Sequence, residues 1–154
     1  EDVLGRFVKC VLSYDINFEH VVRITADNPL TCPNAIDEAI KLHVEKKADL
    51  THFLGMPLGT GVEVIKASVL FEINELAFEK YDREHVTPYL YKHKNLYRVL
   101  EPFYKDGVDY QGIRVTIDYP VDLESVDRLL SKLNYKIPVY VGDVIGVIEE
   151  LARV

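Results

Sequence analysis

The chain has 154 residues, 48% of them hydrophobic, and a formal net charge of -7. That length buries one sizeable core without requiring a second, so residues 1–154 read as a single domain. Lys and Arg are outnumbered and unclustered, which excludes a general nucleic-acid binder held by grouped cations. No apolar run approaches the roughly 18 residues that span a bilayer, and no signal-like segment opens the chain. A cytoplasmic protein with no membrane partner is expected.

Val3, Leu4, Phe7, Val8, Val11 and Leu12 recur at helical spacing and predict a first helix ending near Ser13-Tyr14-Asp15. His20 to Thr25 is a short β-branched run of the kind that forms an interior strand, stopping at Ala26-Asp27-Asn28-Pro29. Pro33 suits the first turn of a second helix, whose Ile36, Ala39, Ile40, His43 and Val44 form one stripe closing at Lys46-Lys47. Leu50 to Leu54 predicts a short strand, Gly55 to Gly61 a glycine-rich connection, and Val62 to Ile65 another strand. Ser68 is the expected cap of a helix with Val69, Ile73, Leu76 and Ala77 on one side.

Between Tyr81 and His93 the chain is polar and aromatic, with a helix starting or bending at Pro88. Tyr97 to Leu100 and Ile113 to Asp118 read as two further strands around a turn at Asp106-Gly107. Pro120 opens a helix with Val126, Leu129, Leu130 and Leu133 inward, and Val144 to Leu151 forms the last one. Cys10 and Cys32 lack the spacing of a zinc or redox pair and are expected to be buried thiols.

Strands alternating with helices of this length predict an α/β fold with a mixed, mostly parallel sheet covered on both faces. Such sheets take ligands at the carboxyl ends of their strands, where Asp27 and Asp118 both fall. Two carboxylates there suit magnesium, which takes one or two of them plus waters and substrate phosphates. The same positions equally suit carboxylates that cap the following helix or loop.

Gly59-Thr60-Gly61 has no following Gly-Lys-Ser/Thr and precedes a strand, so it reads as a tight turn and not a phosphate loop. The five histidines form no His-Glu-x-x-His pattern, and no Gly-x-Ser-x-Gly elbow is present. Arg83, Glu84, His85, Tyr89, Tyr91, Lys92 and His93 crowd hydrogen-bonding groups into one stretch. They read either as a solvated helix with two buried tyrosines or as a polar wall for a sugar or a partner subunit.

Val21 to Leu30 resembles the "V-V-R-x-T-G-D-C-P-L" segment of the cytidylyltransferase-like proteins of spore coat polysaccharide biosynthesis, relatives of the CMP-KDO and acylneuraminate cytidylyltransferases. Arg83 to His93 is similar to that family's "R-E-H-V-T-P-Y-I-Y", and Thr116 to Glu124 to its "T-V-D-Y-P-E-D-L-E". Glu1-Asp2-Val3-Leu4 also resembles the start of the helix preceding the first segment. Together these segments cover most of the chain in the family's order.

The resemblance implies a Rossmann-like nucleotide-diphospho-sugar transferase fold and transfer of a cytidylyl group from CTP to an acidic or modified sugar. It assigns Asp27 and Asp118 to Mg2+ and to catalysis, assigns Glu63, Arg83, His85 and Tyr89 to substrate binding, and implies a homodimer, with the region after Gly55 as a candidate interface. Ala26 and Asn28 stand where the family shows Gly and Cys. In Pro57 to Val64, two acidic positions of the family's "P-D-G-L-D-V-E-V" are replaced while Glu63 stays. The family's opening strand and Arg- and Lys-bearing loop have no counterpart in this sequence, so an N-terminally truncated, C-terminal portion of the fold is expected, without turnover on its own. A non-catalytic remnant serving for binding or assembly is the alternative.

Overall fold

The structure is a computed structural model describing residues 1–104, 109–110 and 112–152. The turn expected around Asp106-Gly107 lies outside the described residues. Its seven helices are α1 (Val3–Leu12), α2 (Pro33–Lys46), α3 (Ala67–Leu76), α4 (Lys80–His85), α5 (Pro88–Lys92), α6 (Pro120–Lys132) and α7 (Val141–Ala152), counted among the described residues. Four strands, β1 (His20–Arg23), β2 (Leu50–His52), β3 (Glu63–Lys66) and β4 (Val99–Leu100), form one sheet of order β1-β3-β2-β4. β2 and β4 run parallel, with Leu50 opposite Val99 and Thr51 opposite Leu100. This is an α/β fold. The run at His20 was read as an interior strand, but among the described strands β1 ends the order and all four of its residues are half-buried.

The chain divides into two compact units interleaved along the sequence. The first comprises Glu1–Arg23, Ile40–Thr51 and Val64–Leu100. Its core joins Leu4, Leu50, Ile65, Leu70, Ile73, Val86 and Leu90, with the α1 stripe of Val3, Phe7 and Val11 packed against it. Each fully buried aliphatic side chain of this kind contributes about 1.5–3 kcal/mol. Asp2 caps α1 by accepting from the Gly5 N–H at 3.0 Å.

Helix α3 begins one residue before Ser68 and does not use it as a cap, because the Ala67 N–H donates to the Glu19 carbonyl at 2.9 Å. A backbone acceptor supplied by another segment replaces the side chain that an isolated helix needs. On the same helix Leu70 takes the buried place expected of Leu76, which is 43% exposed.

The second unit holds Ile24–Ala39, His52–Glu63 and the described residues of Glu101–Val154. Leu30, Val115, Val126, Leu129, Val139, Val144 and Val147 form its core, so the inward faces of α6 and α7 match their apolar spacing. Ile113 to Asp118 is extended but joins no strand ladder. Leu58 donates to the Ile113 carbonyl and accepts from Val115, both at 2.8 Å, and Ile117 donates to the Asp27 carbonyl at 2.8 Å. Its partners lie on two separate loops, which leaves one isolated bridge at Leu58–Arg114. Cys32 is buried as expected, but Cys10 is exposed on the outer side of α1.

Candidate functional site

Asp27 sits in a short loop that locks itself. Asn28 donates its N–H to the Thr25 carbonyl at 3.1 Å and its side-chain amide to the Thr25 hydroxyl at 2.8 Å, and the Thr31 hydroxyl donates back to the Asn28 carbonyl at 2.9 Å. The Ile117 N–H then bonds the Asp27 carbonyl, setting Asp27 beside the residue that precedes Asp118. Two aspartates far apart in sequence are thereby brought together within the second unit. The half-buried Asp27 carboxylate meets the Thr116 hydroxyl only at a long 3.5 Å.

Neither aspartate caps a helix. Asp122, the third residue of α6, does that work: its carboxylate accepts from the N–H groups of Asp118 and Tyr119, both at 2.9 Å. The Arg114 guanidinium donates to Asp118 and, at 3.0 Å, to Asp122. Arg114 foremost, then the two backbone N–H groups, depress the Asp122 pKa to about 2. Its pairs with Asp122 and then Asp118 in turn raise the Arg114 pKa.

The segment carrying Asp118 is fixed by Gly59, whose φ is +104°; a Cβ there would lie 2.7 Å from the Thr116 nitrogen and 2.9 Å from the Val115 carbonyl carbon. Gly59 is thus required twice over, for its conformation and for close backbone approach. Arg114 and Asp122 escaped the sequence reading, which saw Gly59 as part of a tight turn and not as a support of the Asp118 segment; the Thr60 N–H does close such a turn on the Pro57 carbonyl at 3.1 Å. The first two had a signal: acids four residues after an Arg, and at the third position of a helix opened by Pro, commonly form such bonds.

Among the described residues no group of three or more His, Cys, Asp or Glu side chains could hold a metal. Asp27 and Asp118 each offer carboxylate oxygens, the donor type that suits magnesium and not the nitrogen and sulfur set of a zinc site.

The other predicted residues lie elsewhere. Glu63 opens β3, half-buried. In the first unit, a cavity of about 540 Å³ is lined by Arg23, Tyr81, His85, Thr87, Pro88, Tyr91 and Lys92. His85 packs against Tyr81 with ring centroids 4.4 Å apart. Lys92 is already neutralised by Asp82 at 2.8 Å and by Glu79.

Between His85 and Thr87 the chain reverses at Val86, with φ +76° and ψ −57°, and the Thr87 N–H donates to the His85 carbonyl at 3.0 Å. This is a γ-turn on a β-branched residue, strained by about 1–3 kcal/mol and held by complete burial. Arg83 and Tyr89 do not line the cavity. Arg83 grips Asp2 with two bonds at 2.9 Å and the Asn74 carbonyl with one at 2.6 Å, while Tyr89 stacks on His93 and packs against the core.

The sequence pattern of the cytidylyltransferase family matches residues 1–143. The chain belongs to that family. The spore coat polysaccharide biosynthesis protein SpsF of Bacillus subtilis (strain 168) is 34% identical over 146 residues, which span 94% of this chain and 60% of SpsF. An uncharacterised protein of Methanocaldococcus jannaschii is 39% identical over 121 residues, spanning 77% of this chain and 48% of that one. The chain thus spans about half to three-fifths of these curated relatives. A solved cytidylyltransferase from Leptospira borgpetersenii superposes with a TM-score of 0.86 over 99% of this chain and 64% of that one, at 23% identity, and so shares the fold.

Proposed function

We propose that the protein acts in a magnesium-dependent nucleotidyl transfer, joining the cytidylyl group of CTP to a sugar that is then used in polysaccharide assembly. The observation that carries this reading is the pairing of Asp27 with Asp118 through the Ile117–Asp27 backbone bond, both carboxylates being left unused as caps. Asp27 and Asp118 would hold the magnesium ion. When bound, that ion supplies charge neutralisation on the triphosphate and on the departing pyrophosphate.

The task left to the chain is positioning, since phosphoryl transfer needs little covalent chemistry from protein. Asp27 is fixed through its carbonyl, and Asp118 through its own N–H on Asp122. The similarity to SpsF supports a cell-surface glycan as the destination.

The test uses the full natural chain and follows pyrophosphate release from CTP, set against ATP, GTP and UTP, with acidic and neutral sugars and magnesium. The expected outcome is CTP-selective release that falls about 100-fold or more in Asp27→Asn and in Asp118→Asn. Release that persists undiminished in both variants overturns the assignment.

A further inference from the structure

We propose that Arg114 is a positioning residue that makes Asp118 available to a divalent ion chiefly when the ion arrives together with the nucleotide's triphosphate. The inference rests on the metal reading of Asp27 and Asp118 given above. Its basis is an asymmetric fork. One Nη of Arg114 donates to both Asp118 and Asp122. Asp122 cannot leave, because two backbone N–H groups and the start of α6 hold its carboxylate, and its side chain is only 16% exposed. Asp118 can: its side chain is 45% exposed, and the N–H groups of Asp118 and Tyr119 go to Asp122 instead. The backbone that carries Arg114 is anchored, with Leu58 bonded to the residues on either side, at Ile113 and Val115.

Charge then sets the order of events. Without ligand, Arg114 serves as the counter-ion of Asp118, so a bare divalent ion must displace one cation while sitting close to it. A triphosphate arriving with the ion reverses the balance. The guanidinium keeps Asp122 and gains an anion of the kind that guanidinium groups bind in pairs of hydrogen bonds, in place of Asp118. A unit charge within a few ångströms of a divalent ion in a water-exposed site changes its affinity by about tenfold. Arg114 therefore disfavours the free ion and favours the ion–nucleotide pair.

The experiment measures two affinities in the full natural chain: Mn2+ alone, by electron paramagnetic resonance, and CTP in the presence of Mn2+, by calorimetry. Arg114→Gln is expected to bind Mn2+ alone about tenfold tighter and Mn2+–CTP about tenfold weaker, a crossing that loss of structural support does not produce. Arg114→Lys, which keeps the charge, is expected to bind Mn2+ alone within about threefold of the parent. Weakening of both affinities in Arg114→Gln, no change in either, or a tenfold tightening by the lysine variant overturns the role of Arg114. Wild-type protein that binds no Mn2+, or Asp27→Asn that binds it equally well, overturns the underlying metal reading and Arg114's role with it.

Discussion

Replacing His43 with leucine should make stability less sensitive to acid. His43 is wholly buried, its Nδ1 lies 2.9 Å from the Thr51 hydroxyl, and its Nε2 has no protein partner. Burial first, and then the neighbouring His20 ring at 4.9 Å, lower its pKa from 6.5 to about 4; Asp49 opposes and Lys66 assists. Above 6.5 the ring is neutral in folded and unfolded chains alike, so nothing is lost. Between 6.5 and about 4 the unfolded chain takes a proton that the folded chain refuses, so stability falls as pH falls, and the loss levels off below about 4.

At ~1.4 kcal/mol per pH unit, a full shift costs about 2 kcal/mol by pH ~5. Water reaching His20, whose side chain is 29% exposed, screens this to about 1–2 kcal/mol. Urea denaturation at about pH 7.5 and about pH 5 measures it directly. The wild type should lose that amount beyond the loss shown by His43→Leu. Equal losses in the two proteins would show that His43 takes up a proton as readily in the folded chain as in the unfolded one.

Gly59→Ala should cost about 1–3 kcal/mol in denaturant midpoint, since its Cβ would meet the Thr116 nitrogen at 2.7 Å with φ at +104°. An unchanged midpoint contradicts that packing. Ile73→Ala, at a fully buried core position, should lose about 2–5 kcal/mol by the same assay. Arg83→Met should lose about 1–3 kcal/mol, because it removes the grip on Asp2 and Asn74, and yet leave CTP affinity unaltered; a selective loss of ligand affinity would return Arg83 to the substrate site.

The helices were largely legible because their signals are local. The apolar stripe of α1, and the prolines opening α2, α5 and α6, each act within a few residues, and those elements begin at the residues so marked. Ser68 misled for the opposite reason: the donor it would have satisfied is bonded by Glu19, and no local pattern encodes that. Ile113 to Asp118 has the composition of a strand but bonds to two loops, so the strand expected there is a segment with one isolated bridge and no ladder.

Asp27 and Asp118 stood out through their place after apolar runs. The groups that organise them, Arg114, Asp122 and Gly59, act through contacts that appear only once the loops are folded together. Arg83 shows the converse, a cation in a polar cluster whose bonds are spent on α1 and α3.

The central claim is that Asp27 and Asp118 hold one divalent ion between them. Mn2+ titrated into the 15N-labelled full natural chain with CTP tests it most directly through paramagnetic broadening of backbone amides. The amides of Asp27, Thr116, Ile117 and Asp118 should broaden first, and Asp27→Asn and Asp118→Asn should each abolish the effect. Broadening centred elsewhere, or surviving both substitutions, would contradict it.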